Sequence, residues 1–226
     1  MLYVSATEFW RNNHPGAAIG LLEISGAAGV SASTQLDEQK RETERRLRER
    51  YAGFIRPDFL ALPVMAAYDR YYHRFDKTYH VLQQVESIVL KGKNLPSVTP
   101  LVDANFIAEV ETLVLTASHD ADRLKGEICM DVARPGDQMT QMNGALKAVM
   151  VGDMIMRDSH GVCCSIIYGQ DNQSVLTPES THALYVAYAP AGVPAIQVSA
   201  HLQRIWENIQ LFSPEAVLEQ QRLLLA

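Results

Sequence analysis

The stretch DMIMRDSHGVCCSIIYGQD, residues 153–171, decides the fold class. Two β-type runs, DMIMRD at 153–158 and GVCCSIIYGQD at 161–171, flank a tight turn from Asp158 to Gly161 with glycine at its exit. That pattern predicts an antiparallel hairpin. Upstream, EICMDVARPGD at 127–137 has strand composition and closes in a Pro-Gly-Asp turn. Downstream, ALYVAYAP at 183–190 reads as a further strand. A strand-rich centre therefore occupies 126–190.

Helical periodicity surrounds this centre. In 194–212, Val198, Leu202, Ile205, Trp206 and Ile209 share one face. Ser213-Pro214 then reads as the cap and first position of a last short helix. At the other end, residues 1–25 read as a short strand, a short helix and a strand. Residues 34–52 predict a helix, with Thr34 and Asp37 in a capping-box spacing and Glu42–Arg46 and Glu44–Arg48 at i, i+4. Its acids nearly balance its bases, so a solvated amphipathic face is preferred over a phosphate-binding one. Residues 78–92 place Val81, Leu82, Val85, Ile88 and Val89 on one side and end at Gly92, with Lys91 and Lys93 at the terminus. Pro100 suits a first helical position after Thr99, and Val102, Phe106, Val110, Leu113 and Val114 keep helical period. The expected class is α+β: a strand-rich, largely antiparallel centre flanked by helices. One domain is expected over 1–226, helix-rich in 1–125, strand-rich in 126–190, with C-terminal helices in 194–226.

Composition narrows the function. Of 226 residues, 47% are apolar and 20% charged, ordinary for a globular chain. No apolar run reaches the ~20 residues needed to span a bilayer, and MLYVSATEFWRNN lacks the features of a signal peptide. Cys129, Cys163 and Cys164 have no C-x-x-C spacing, which argues against a disulfide framework and against zinc. Together these point to the cytoplasm and away from membranes. The net charge of −6 requires any RNA contact to be a local basic patch.

There is no P-loop, no dinucleotide fingerprint and no G-x-S-x-G elbow. No cofactor is expected. His119, Asp120 and Asp122 could ligate a metal, but acids at a helix start more simply cap it, and no metal is assigned. Residues 57–80 carry Tyr68, Tyr71, Tyr72 and Phe75 at helical spacing, interleaved with Arg70, His73, Arg74, Lys77 and His80. Aromatics beside cations hold single-stranded RNA in many proteins. Packing into the core is the preferred reading of this stripe. Arg70, Arg74, Lys77, Lys91 and Lys93 are the candidate RNA contacts.

Three polar or glycine-rich segments fall at the ends of elements in the strand-rich half, where loops place binding groups: SHDADRLKG at 118–126, ARPGDQMTQMNG at 133–144 and IIYGQDNQS at 166–174. Gly169 would let a ligand approach the backbone, and His119 could orient a substrate or a water.

The order of motifs, VDANFIAEVETLVLTASHDADRLKG, then VARPGD-x-M-T-x-M-N-G, GDMIMRD and GVCCSIIYGQDNQS, resembles the editing domain in the beta subunit of bacterial phenylalanyl-tRNA synthetase. The resemblance covers roughly 75–190. Val102-Asp103 and Asn105-Phe106 fall on that family's V-D-x-x-N-Y helix, His119 on its histidine and Gly136-Asp137 on its Gly-Glu turn. Asn143-Gly144 falls on its Asp-Gly, and Ile167-Tyr168-Gly169 on its Ile-Phe-Gly. The resemblance implies a free-standing, tRNA-binding, editing-type domain that hydrolyses misaminoacylated tRNA in trans. It implies His119 as the catalytic group and Gly169 and Asn105 as substrate contacts, with Asp171 where the family has a loop glutamate. One departure stands out. The family's hydroxyl-reading glutamate falls at Tyr185 or Val186, where no carboxylate stands, and a pocket selects strongly for a hydroxyl only if it offers a partner. The synthetase catalytic domain is absent from the pattern.

Two other functions remain open. The chain could be a non-catalytic module that binds tRNA, a synthetase or a free amino acid. It could also be a hydrolase of small esters or amides with no RNA involved. DNA is not expected as a partner.

Overall fold

The computed structural model describes residues 1–30 and 32–226. The chain runs β1 (Val4–Ala6), α1 (Glu8–Asn13), β2 (Ala18–Ser25), α2 (Thr34–Arg50), α3 (Arg56–Leu60), α4 (Pro63–His73), α5 (His80–Val89) and α6 (Pro100–Thr112). It continues with β3 (Thr116–Asp120), a 3-10 turn (Ala121–Arg123), β4 (Ile128–Val132), β5 (Gln138–Thr140), β6 (Leu146–Ala148), β7 (Met154–Asp158), β8 (Gly161–Ser165) and β9 (Gly169–Gln170). β10 (Ala183–Ala189), α7 (Ala195–Gln210) and β11 (Val217–Leu225) complete it. Among the described residues, no helix is long and apolar enough to cross a membrane.

The class is α+β, and its strands are largely antiparallel. One sheet has the order β1-β4-β7-β8-β9, with β1 and β4 parallel and the other pairs antiparallel. The hairpin lies in it, with Asp158 opposite Gly161. The second sheet has the order β11-β2-β10-β3, all antiparallel. β5 and β6 form a separate two-stranded hairpin. β10 is buried along its whole length, which explains why ALYVAYA reads as a continuous apolar run rather than an alternating one. α7 packs onto β2 at Gly20, where an added Cβ would stand 2.7 Å from Val198 Cγ1 and 3.1 Å from Leu202 Cδ1.

The tyrosine stripe of α4 ties the two sheets together. Tyr68 donates to the Tyr188 carbonyl at 2.7 Å, in the four-stranded sheet. Tyr71 donates to Asp153 Oδ1 at 2.7 Å, and Tyr72 to the Ile166 carbonyl at 2.7 Å, both beside the five-stranded sheet. Tyr68 stacks on Tyr79 with centroids 4.1 Å apart. These rings belong to the core, and their hydroxyls satisfy backbone and carboxylate groups that burial would otherwise leave unpaired.

Three local expectations are corrected. Residues 213–226 are not a helix: after a turn, β11 pairs with β2 from Val217↔Ser25 to Leu225↔Ala18, with a bulge at Glu219. The long β2 edge supplies hydrogen bonds that a local helix pattern cannot anticipate. The cap of α2 is Ser33, whose side chain accepts from Leu36 N, and Thr34 is the first helical residue. Residues 118–120 are not a loop but the end of β3, and Asp120 caps the following 3-10 turn by accepting from Asp122 N.

Candidate functional site

A cleft of about 430 Å³ opens between α6 and the turn that carries Gly169. Its walls come from separate parts of the chain. α6 begins at its Thr99 cap and turns Val102, Asn105 and Phe106 to the cleft, positions one helical turn apart. β3 contributes Thr116 and Ser118, alternate residues of one strand face. The tip of the β5–β6 hairpin contributes Gln141, Met142 and Asn143. Tyr168, Gly169 and Gln170 close the opposite side, with Val98, Val175 and Leu176 at the margins.

The polar groups of the cleft are amides and hydroxyls. Asn105 Nδ2 donates to the Thr116 carbonyl at 3.4 Å, while its buried Oδ1 has no partner. Gln170 Oε1 accepts from Ser118 N at 3.3 Å. Gly169 has φ +82°, and an added Cβ there would meet nothing within 4 Å. Glycine is thus required by the left-handed turn, while the space beside it stays open. The rest of the lining is apolar, and none of it is Asp, Glu, Lys, Arg or His. Lys147, over the Tyr168 ring at 4.9 Å, is a cation beside the lining.

The layer beneath is also uncharged at neutral pH. Glu109 accepts from Thr116 N at 2.8 Å, and burial pushes its carboxyl up to about 8, so it stays protonated. His201 Nε2 bonds Thr116 Oγ1, and its Nδ1 lies 2.7 Å from Thr112 Oγ1. Burial lowers that imidazole to about 3 and keeps it neutral.

Of the residues singled out in the sequence, Asn105 and Gly169 meet in this cleft, together with Asn143 of the turn motif. The others lie elsewhere. His119 is fully buried and does not line the cleft. Its Nδ1 is 2.6 Å from Ser174 Oγ, which in turn donates to Asp171 Oδ1 at 2.5 Å. The hydroxyl proton is therefore committed to Asp171, and the imidazole donates to the hydroxyl. A nucleophilic triad needs the reverse order, with the imidazole between serine and carboxylate. Burial lowers His119 to about 4, leaving it neutral, and its Nε2 has no partner. Strand alternation turns His119 to the face opposite Ser118, away from the cleft. Asp171 closes an Asx-type turn by accepting from Ser174 N at 3.0 Å. Tyr185 is fully buried on β10, outside the cleft lining, and donates to the Leu101 carbonyl at 2.9 Å, so it anchors the first turn of α6.

The candidate RNA contacts do not surround the cleft. Arg70 and Arg74 line a different pocket with His14, Lys93 lines a groove with Gln83 and Asn94, and Lys77 and Lys91 are exposed. Sequence reading missed Thr116 as a cleft residue, while Ser118, Gln141, Tyr168 and Gln170 fall inside the three segments it named without being singled out there as contacts. The spacing of Val102 and Phe106 was a usable signal, since an apolar pair at i, i+4 beside the buried face of a helix marks a second, shallower face.

No protein-family profile and no curated protein matches the chain. Among solved structures, an N-terminal fragment of the phenylalanyl-tRNA synthetase beta-subunit from Pyrococcus horikoshii is similar to 99% of this chain at 8% identity, with a TM-score of 0.48. The match takes in 52% of that fragment, so the chain spans about half its length.

Proposed function

We propose that the chain is a recognition module whose cleft holds an uncharged group with an apolar body and a hydrogen-bonding end, without transforming it. The observation that carries this reading is the convergence of Asn105, Asn143 and Gly169, from three separate segments, on one cleft with no carboxylate, imidazole or cation in its lining. Hydrolysis by protein groups needs a base within hydrogen-bond reach of the attacking water. Glu109 and His201, which bond Thr116, are buried and hydrogen-bonded below the floor, and His80 lines an adjoining pocket and not the cleft. Val102, Phe106, Tyr168 and Leu176 offer apolar contact, and the amides of Asn105, Gln141 and Asn143 offer hydrogen-bonding groups. The aminoacyl group of a charged tRNA is the occupant that the ordered motifs suggest, because those same motifs supply the cleft residues.

The test is equilibrium binding of an amide-linked phenylalanyl- or tyrosyl-adenosine, compared with the free amino acids and adenosine. The aminoacyl nucleoside should bind, and Phe106→Ala should weaken it about tenfold or more, as expected for a buried aromatic contact worth roughly 1.4 kcal/mol or more. Tyrosyl-tRNA incubated with excess protein should lose its amino acid no faster than in buffer. Accelerated release would make the chain an enzyme, and absence of aminoacyl binding would remove this reading.

A further inference from the structure

A second pocket, about 240 Å³, lies between the C-terminal half of α4, the loop after α1 and the loop between β10 and α7. Asn13, His14, Pro15, Arg70, Arg74 and Ala191 are among its walls, and none of its lining is acidic. It shares no residue with the cleft.

Its charge is concentrated and uncompensated. Arg70 on α4 and Arg74, the residue that caps its C-terminus, stand one turn apart. In this acidic chain, arginines such as Arg45, Arg56, Arg157 and Arg204 hold carboxylates. Among the described residues, the side chains of Arg70 and Arg74 make neither an ion pair nor a hydrogen bond, and the Arg74 backbone N–H donates to the Tyr71 carbonyl. Arg74 instead lies over the rings of Tyr71 and Phe75, at 5.2 and 5.4 Å. That stacking fixes the plane of the guanidinium and leaves its N–H edge free to donate. Arg70 rests against the β10–α7 loop at Gly192, where an added Cβ would come within 2.7 Å of its terminal nitrogen. His14 is 6% exposed, and its Nε2 has no hydrogen-bond partner. A buried, unpaired imidazole nitrogen is costly unless something satisfies it. Tyr71 forms the back of the pocket, and its own hydroxyl is held by Asp153.

We propose that this pocket is an anion site for a terminal phosphate group. Two guanidinium edges and an imidazole can address more oxygens than a carboxylate offers, and the pocket is wide enough for a phosphate with the first atoms of the group it terminates. The site is independent of the cleft and of its proposed ligand.

Calorimetric titration with inorganic phosphate and a nucleoside 5′-monophosphate tests it, with the parent nucleoside and acetate as controls. Both phosphates should bind. Arg70→Gln and Arg74→Gln should each weaken them about tenfold, and the double variant should abolish binding, as expected for lost charge-assisted hydrogen bonds. Both arginines are exposed, so the variants should keep the parent melting temperature. The imidazole NMR signals of His14 should shift on phosphate addition and not on nucleoside addition. Unchanged affinity in the double variant, no phosphate binding at millimolar concentration, or acetate binding as tightly as phosphate would each overturn the proposal. Equal binding of 5′-hydroxyl and 5′-phosphorylated oligoribonucleotides would overturn the terminal-phosphate assignment in favour of internal RNA phosphates.

Discussion

Lys40 illustrates how a single side chain can hold the cleft without touching its ligand. It is fully buried, and its Nζ lies 2.8 Å from Asp103 Oδ2 and 2.6 Å from Ser97 Oγ. The other Asp103 oxygen accepts from Val98 N at 3.0 Å, which sets the margin of the cleft where Val98 stands. Asp103 of the V-D motif is therefore a structural anchor, with Lys40 of α2 as its counter-ion. Removing one member of a buried pair leaves the other charge stranded. Lys40→Met should cost about 3–5 kcal/mol in urea unfolding, and adding Asp103→Leu should restore much of that loss. A loss under about 1 kcal/mol, the scale of surface pairs, would show that the pair is not buried as described. The sequence did not reveal this pair because the partners lie 63 positions apart. Lys40 sits among the alternating charges of α2, where local spacing reads every lysine as solvated. For the same reason the tyrosines of α4 were legible as core, since their spacing is local, whereas the carbonyls they satisfy were not.

At the scale of elements, local pattern was enough wherever an element's own residues decide its state. The Thr99-Pro100 start of α6, the hairpin at Asp158–Gly161 and the buried run of β10 are of this kind. It failed where a distant edge decides. VLEQQRLLL contains good helix formers, yet it pairs along β2 because β2 would otherwise be an open edge of its sheet. The cleft was half legible on the same principle. Asn105 and Gly169 belong to recognisable local motifs, whereas the inward aim of Thr116 and Ser118, and the outward turn of His119, depend on β3 pairing with β10. Truncation before Ser213 tests the role of β11. It would strip β2 of its partner and uncover the residues beside Ile19, Leu21 and Leu22. The shortened chain should aggregate or bind a hydrophobic dye, with loss of cooperative melting. A soluble, cooperatively folding truncation with the parent melting temperature would show that β11 is dispensable.

The molecule as a whole keeps several ionisable groups neutral in its interior, and they act on stability in opposite senses. Burial lowers His14, His119 and His201 to about 4, about 4 and about 3 from the ordinary 6.5, the nearby Arg74 charge adding to the effect at His14. Below pH 6.5 the unfolded chain takes up protons that these folded rings refuse, so their contribution is lost as pH falls. Burial raises Glu109 and Asp153 to about 8 and about 7, so the folded chain keeps protons that the unfolded chain gives up near 4.5 and 3.8. Their contribution is complete in acid and lost as pH rises through those folded values. At His182, burial opposes the charged ring, but hydrogen bonds to Asp122 at 2.8 Å and Glu23 at 2.9 Å outweigh it, and the pKa is raised. It joins the carboxyls, losing its contribution as pH climbs above 6.5. Between 4.5 and 6.5 three histidines work against two carboxyls, and stability should rise with pH. Above 6.5 the histidine effect is spent and only the opposing groups remain, so stability should fall. Urea unfolding midpoints measured across this range should pass through a maximum near pH 6.5, and Glu109→Gln should flatten the alkaline side because the amide has no proton to lose. A midpoint that keeps rising beyond pH 8 would mean that Glu109 and Asp153 are ionised in the folded chain, and with Glu109 the uncharged floor of the cleft would go.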